Sequence, residues 1–291
     1  MNYSIITFLI FLSVLIVMTG CYNSTPGDNE IRVISYNIKF DDKSDTLVSW
    51  NQRKQRVVNQ ISFYDPDFLG VQEGLLHQLE DIENSASKIS WIGVGRTDGK
   101  AKGEFSALFF NSEKFELVEN TDSTIWLSKT PSIPSKSWDA ALPRILTWGK
   151  FRSKGSGEEF YVFNTHFDHI GETARAKSAR LILEMINKIT QNLPVILTGD
   201  FNATEGSEPY KILTDPDSNL EDAFYKTKLP HLGPLFTFEG FNVLNDEEKK
   251  RIDYIFVNKK VEVVKHAFIS DFRDGRYPSD HLPVITDVVL K

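Results

Sequence analysis

The sequence predicts an α/β sandwich in which two β-sheets face one another and helices cover their outer faces. Three observations carry that expectation. The 291 residues are 41% hydrophobic and 25% charged, ordinary globular usage that supplies a sizeable core and excludes collagen-like, low-complexity or wholly disordered chains. Short runs rich in β-branched and aromatic residues recur between turn formers. Longer stretches carry apolar residues at helical spacing, and mixed elements of this kind pack in layers.

Taken in order, the chain opens with an apolar run from Ile5 to Met18, broken only by Thr7 and Ser13, and continues Thr19, Gly20, Cys21. The run falls short of the ~20 residues a spanning helix needs, and small residues follow it, as in a secretion signal. It resembles a bacterial lipoprotein signal, in which a small-residue box ends in the cysteine that receives the lipid. Two details depart from that pattern: Met1 to Ser4 carry no Lys or Arg, and Met18 stands where the box usually has Leu. The resemblance implies a signal peptide over 1–20, lipidation of Cys21 and a flexible tether over 21–30 containing Pro26 and Gly27. The catalytic part would then face outward from the cytoplasm on a membrane anchor; an uncleaved helical anchor is the alternative.

From Ile31 to Lys291 no repeat, low-complexity tract or long linker intervenes, so this span is expected to be one compact unit and a monomer. Strands are expected over Ile31 to Ile38, Phe68 to Val71, Ser106 to Phe110, Phe160 to Thr165, Val195 to Thr198, Ile252 to Val257 and Leu282 to Leu290. Trp50, Lys54, Val57, Val58 and Ile61 lie on one helical stripe, as do Leu181, Ile182, Met185, Ile186 and Ile189 within Glu172 to Thr190. Spacing between Phe105 and Phe163 suits hairpins. Periodicity does not give the topology.

Charge and cysteine usage narrow the function classes. Lys plus Arg number 33 against 40 for Asp plus Glu, a net charge of -7, which disfavours a protein that coats polynucleotide by charge. An enzyme that holds phosphate through a metal ion remains open. Cys21 is the single cysteine, so an intramolecular disulfide and a zinc site built from several thiolates are excluded.

Polar residues of catalytic type collect at the expected strand ends, where a rigid scaffold aims side chains at one point. The first strand ends in Ser35-Tyr36-Asn37, the second in Val71-Gln72-Glu73, and a middle strand in Asn164-Thr165-His166-Phe167-Asp168-His169. Pro194 to Thr198 runs into Gly199-Asp200-Phe201-Asn202, where period-two alternation turns Asp200 and Asn202 to the same side. Arg251-Ile252-Asp253 opens a strand, and Ser279-Asp280-His281 precedes the last. Singly, each has a plain structural explanation: Asn37, Asp200 and Asn202 as turn residues, Glu73 as an exposed carboxylate or cap, Asp253 as a surface partner of Arg251, and His166 and His281 as satisfied or exposed histidines. Together they form a set of carboxylates, amides and imidazoles without a thiolate, which suits a hard cation such as Mg²⁺.

The ordered set resembles the endonuclease/exonuclease/phosphatase superfamily of metal-dependent hydrolases, over Ile31 to Lys291. The matching motifs are Ser-Tyr-Asn, Val-Gln-Glu, Asn-Thr-His, Gly-Asp-Phe-Asn, Arg-Ile-Asp and Ser-Asp-His. The resemblance implies a four-layer α/β/β/α sandwich with the site at one edge of the paired sheets. It implies Mg²⁺, with Mn²⁺ or Ca²⁺ as substitutes, held by Glu73 with Asn37 and Asp280. It also implies that Asp253 orients His281, that His281 or Asp200 is the general base, that Asn202 supplies an amide donor, and that His166 donates to the phosphate or leaving group. Lys39 stands two residues after Asn37, where some nucleases of the superfamily place an aspartate ligand, so a second metal site is not expected there.

Arg144 is a candidate phosphate clamp or a surface-loop residue, and His169 a candidate second imidazole. Arg96 and Glu104, flanking Gly93 to Gly103, shape substrate access or simply end a hairpin. Phe236, Phe238 and Phe241 are expected in the core rather than stacked on a base or sugar. The function that follows is metal-dependent phosphate-ester hydrolysis, with a nuclease-like phosphodiesterase first and a phosphomonoesterase or sphingomyelinase-type enzyme as alternatives. Nucleic acid, a phospholipid head group and a phosphoglycan all fit as substrate. A non-catalytic lipoprotein that binds a phosphorylated ligand is the rival class.

Overall fold

The computed structural model describes residues 30–44, 48–86, 88–241 and 249–291. The expected signal peptide, Cys21 and the tether up to residue 29 lie outside the described residues.

Two mixed sheets form the centre. The first takes β1 (Ile31–Asn37), β2 (Phe68–Gly74), β3 (Ile89–Ile92), β4 (Phe105–Asn111), β12 (Val261–Phe268) and β13 (Val284–Leu290), in the order β12-β13-β1-β2-β4-β3. The second takes β5 (Phe115–Leu117), β6 (Ser123–Trp126), β7 (Ile145–Ser153), β8 (Glu159–His166), β9 (Val195–Asp200), β10 (Leu220–Asp222) and β11 (Asp253–Asn258), in the order β10-β11-β9-β8-β7-β5, with β6 also paired to β7. β1–β2 and β8–β9 are parallel pairs. Parallel neighbours need a crossover, and α1 (Trp50–Tyr64) and α3 (Glu172–Ile189) supply one each. Shorter helices follow β2, β9 and β10: α2 (Leu76–Glu83), α4 (Glu208–Leu213) and α5 (Ala223–Lys226).

Strand alternation sorts the apolar residues into layers. Val33, Phe68, Leu108 and Val284 point inward to meet Phe151, Phe160, Ile196 and Ile255 between the sheets. Their neighbours Ile34, Leu69 and Phe109 point outward against Trp50, Val57 and Ile61 of α1 and Leu79 and Ile82 of α2. Leu146, Phe163, Leu197 and Phe256 cover the other outer face with Ala179, Ile182 and Ile186 of α3. The result is the expected α/β/β/α sandwich.

Polar ties replace apolar packing where the sheets approach the site. Gln72 Nε2 donates to Asn164 Oδ1 at 2.7 Å, Asn164 Nδ2 donates to the carbonyls of Val71 (2.9 Å) and Ala107 (2.8 Å), and Thr198 Oγ1 donates to Asn164 Oδ1 at 3.0 Å. These side chains are fully buried. The motif residues next to Glu73 and His166 are thus a clasp between the two sheets, which fixes the strand ends that carry the reactive groups.

The helical stripe of α1 differs from the sequence reading. Trp50, Val57 and Ile61 are buried and Val58, partly buried, packs against them, but Arg53 and Gln60 are buried where Lys54 is not, because Arg53 donates to the carbonyls of Ile38, Lys39, Val48 and Pro278. A fully engaged guanidinium can be buried where a lone charge cannot. Lys54 instead reaches Asp81 at 3.0 Å.

Candidate active site

One end of the sandwich brings together the strand ends singled out in the sequence. In the second sheet Asp253 is paired with Asp200, and Asp200 with His166, in lateral register. That places three reactive side chains on successive strands, about 5 Å apart. From the first sheet Asn37 reaches across: its Nδ2 donates to Asp200 Oδ2 at 2.9 Å and to Glu73 Oε1 at 3.1 Å, while its Oδ1 accepts from the Lys39 N–H at 3.0 Å. Glu73 sits at a register shift between Val71 and Gly74 with φ +62°. A bulge of this kind re-aims a side chain at a strand end, and it turns Glu73 towards the cleft, where the Phe40 N–H also bonds it at 3.1 Å.

His281 Nδ1 donates to Asp253 Oδ2 at 2.8 Å, and its Nε2 lies 3.8 Å from Asp200 Oδ2. The ring packs on Phe238 with centroids 4.9 Å apart. His166 Nε2 is 3.3 Å from Asp200 Oδ2 and 3.1 Å from Asn202 Nδ2. Asn202, at φ +46°, also donates to the Phe167 carbonyl at 3.0 Å, and its N–H bonds Asp200 Oδ1 at 2.9 Å. Every predicted catalytic residue therefore faces one point.

Burial opposes charge on His281, but Asp253, Asp200 and the Asp253 hydrogen bond outweigh it and raise its pKa to about 10. Burial, then the Asp253 charge, pushes Asp200 up to about 7. Burial, with Arg144 and Arg96 nearby, holds His166 well below the ordinary histidine value, so it is neutral. The protons of this site are therefore distributed unequally: His281 carries charge and His166 does not.

The residues fit a hard cation. Lys39 Nζ lies 3.7 Å from Glu73 Oε2 and 3.4 Å from Asp280 Oδ2, so both carboxylates turn to a common point that attracts positive charge. Asp200, Asp253 and His281 form a second group whose ligand atoms lie within 4.8 Å of one another. Two of its members, His281 and Asp253, are hydrogen-bonded to each other at 2.8 Å, which favours proton handling there and metal binding at Glu73 and Asp280.

The cleft is about 970 Å³ and is lined also by Arg96, Glu104, Arg144, His169, Arg175, Glu208 and Lys250. Arg96, Arg144 and His169, the softer candidates, thus share it with His166. Glu104 pairs with Arg96, and burial pushes its pKa up to about 7. Phe238 lines the cleft and Phe236 and Phe241 are only half-buried, contrary to the expected core positions: Phe238 packs on His281, Phe241 faces the Arg53 guanidinium and Phe236 lies under Lys249 Nζ, polar partners in place of an apolar layer. Arg251 pairs with Asp222 and Glu205 and stacks on Phe224 and Tyr254, so it is no partner of Asp253. Sequence reasoning missed Asp168, whose carboxylate accepts from the N–H groups of Leu142, Ile170 and Gly171 and lies 3.5 Å from Arg144 Nε. Its place in the Asn-Thr-His-Phe-Asp run was the available signal.

Such a site, at the edge of a four-layer sandwich, defines a phosphoester hydrolase of the type that uses divalent metals. The chain belongs to the Endonuclease/Exonuclease/phosphatase family, whose sequence model matches residues 34–281. It is similar to the structure of an endonuclease/exonuclease/phosphatase from Bacteroides vulgatus, at 36% identity and a TM-score of 0.86, covering 90% of this chain and 100% of that one. It is also similar to the mannosyl-6-phosphatase of Bacteroides thetaiotaomicron, at 39% identity and a TM-score of 0.81, covering 89% of this chain and 100% of that one. Nocturnin of Rattus norvegicus is 26% identical over 305 residues, covering 92% of this chain and 67% of that protein.

Proposed function

We propose that the protein is a Mg²⁺-dependent phosphatase of phosphorylated sugars or glycans, acting outside the cytoplasm from a lipid anchor on Cys21. The observation that carries the hydrolase reading is the convergence of Glu73, Asp280, His166, Asp200, Asn202 and the His281–Asp253 pair on one cleft. Mg²⁺, held by Glu73 and Asp280 beside Asn37, would counter the charge that builds on the phosphoryl and leaving oxygens. His281, fixed by Asp253, donates to a phosphoryl oxygen. Asp200 Oδ2, ringed by Asn37, His166 and His281, accepts the proton of the attacking water. Phosphate binding would free the Asn202 amide from His166 Nε2, 3.1 Å away, and turn it to a phosphoryl oxygen, while neutral His166 donates to the leaving oxygen from the tautomer that carries its proton on Nε2.

The cleft's charge supports a small substrate. Lys39, Arg96, Arg144, Arg175 and Lys250 face Glu73, Glu104, Glu172, Asp200, Glu208 and Asp280, a lining without the positive excess that tracks a polynucleotide backbone. Carboxylates and amides suit sugar hydroxyls, and the 39% identical structure is a mannosyl-6-phosphatase. A phosphodiester, the first expectation from sequence, is the comparison substrate.

The test is release of inorganic phosphate from p-nitrophenyl phosphate and from hexose 6-phosphates by the purified chain with Mg²⁺. EDTA and His281→Ala should each abolish it. Undiminished activity in His281→Ala would refute the assignment.

A further inference from the structure

The hydrogen bond between His281 and Asp253 joins two elements that share no strand ladder. Asp253 opens β11 in the second sheet, and His281 stands on the chain that leads into β13 in the first. The Asp253 carboxylate is buried and meets the imidazole through Oδ2, while its Oδ1 has no hydrogen-bond partner among the described residues. Its neighbour Asp200 is tied at both oxygens, by the Asn202 N–H and by Asn37 Nδ2. Without such ties on its own side chain, Asp253 takes its aim from the backbone that carries it.

That backbone lies where β11 has no strand on one side. β10 pairs with Phe256, Val257 and Asn258, so the first residues of β11 run past its end. Thr237 takes the open place: its Oγ1 accepts from the N–H of Ile252 at 3.1 Å and from that of Asp253 at 3.0 Å. The same short segment holds the other partner. The Thr237 carbonyl accepts from the Leu282 N–H at 2.6 Å, Phe238 bridges to His281 and lays its ring on the imidazole, and the Glu239 N–H donates to the Asp280 carbonyl at 3.1 Å. Backbone bonds from Thr237 and Phe238 to the Lys250 carbonyl, both 2.9 Å, fix the segment from behind. Thr237 is fully buried, so these bonds are shielded from water.

We propose that Thr237 is the positioning residue of the His281–Asp253 pair: its hydroxyl fixes the start of β11 and with it the aim of the Asp253 carboxylate at His281 Nδ1. The inference rests on the phosphoester-hydrolase reading above and adds to it a residue that does not line the cleft. Valine in its place would keep the shape and remove the acceptor, leaving the buried N–H groups of Ile252 and Asp253 unpaired. The start of β11 would shift to find other partners, and a displacement of ~1 Å is enough to spoil a catalytic alignment. Serine would keep the oxygen and lose only a methyl group.

The test is a double-mutant cycle on p-nitrophenyl phosphate with Mg²⁺, with kcat and KM measured separately and folding checked by circular dichroism. Thr237→Val should lower kcat about 10- to 100-fold and change KM less than about 3-fold. Thr237→Ser should return to within about 3-fold of the wild type. Because Thr237 acts through Asp253, adding Thr237→Val to Asp253→Asn should cost less than about 3-fold more. Losses that multiply in the double variant, an equal loss in Thr237→Ser, or full activity in Thr237→Val would overturn the proposal. Thr237→Ala repeats the comparison should the valine variant not fold. A readout independent of turnover is the downfield proton NMR resonance of the His281 Nδ1–H, assigned by its disappearance in His281→Ala. It should persist in Thr237→Ser and be lost or move upfield in Thr237→Val; a resonance unchanged in Thr237→Val, or missing from the wild type, would overturn the proposal as well. A chain whose resonance depends on Thr237 yet hydrolyses no phosphate ester would sink the proposed function and leave the positioning role standing.

Discussion

His266 on β12 provides a stability prediction that can be worked through from the structure. It is 3% exposed, packed among Phe224, Phe268 and His231, with Arg251 the nearest fixed charge. His231 Nε2 lies 3.1 Å from the Pro234 carbonyl, so it carries the proton there, and His231 Nδ1 is left to accept from His266 Nδ1 at 2.9 Å. His266 Nε2 then has a bare lone pair in an apolar setting, without a partner among the described residues. Burial, and then the His231 and Arg251 charges, lower the His266 pKa to about 3 from 6.5. Below pH 6.5 the unfolded chain takes up a proton that the folded chain refuses until about pH 3. The stability tied to His266 is therefore intact above pH 6.5 and is lost as the pH falls from there towards 3. Between pH 7 and pH 5 that linkage amounts to about 2 kcal/mol. The perturbation is His266→Asn, whose Nδ2 can replace the Nδ1–H donor but does not titrate. Urea unfolding of both proteins at pH 7, 6 and 5 should show the wild-type stability, relative to the variant, declining by about 2 kcal/mol. Parallel curves, agreeing to within about 0.5 kcal/mol across that range, would refute the burial argument.

Other outcomes follow from the site and the core. Asp253→Asn should leave the fold intact but lower kcat by roughly 10²–10⁴-fold, since the amide no longer fixes the tautomer of His281; steady-state kinetics beside circular dichroism checks this. Glu73→Gln should weaken Mg²⁺ binding at least ~10-fold by calorimetry, and the same affinity in the variant would place the cation elsewhere. Gly70→Ala would put a methyl group 2.2 Å from Thr198 Oγ1 and 2.7 Å from Asn164 Oδ1, so it should cost about 3 kcal/mol in urea unfolding by forcing the inter-sheet clasp apart. In a bacterial host, labelling with a radioactive fatty acid should mark the wild type and spare Cys21→Ala, whereas label in both would remove the lipid-anchor expectation.

Much of the active-site set was legible because its members occupy strand ends within short motifs. Asn37, Glu73, His166, Asp200, Asn202, Asp253 and His281 each follow or precede a run of β-forming residues, and a strand end is a local property. The α1 stripe was read in part: Trp50, Val57, Val58 and Ile61 face the core, but Lys54 does not, and Arg53 and Gln60 are buried as well. Four carbonyl acceptors for Arg53, among them that of Pro278, decide this, and no periodicity reports them. The phenylalanines at 236, 238 and 241 were expected in the core rather than stacked on a base or sugar, but residue type does not say which aromatic side chain, here Phe238, will line a cleft.

The layered α/β architecture and the hard-ligand chemistry follow from the sequence alone, because alternation, helical spacing and residue type are set by nearest neighbours along the chain. Tertiary structure alone decided the pairings: Asn37 meets Asp200 across 163 residues of sequence, Arg251 turns to Asp222 instead of Asp253, Gln72 and Asn164 clasp the sheets, and Arg144 is buried beside Asp168 and His169. Each depends on which groups are shut away from water together, and that is a property of the packed molecule rather than of any stretch of chain.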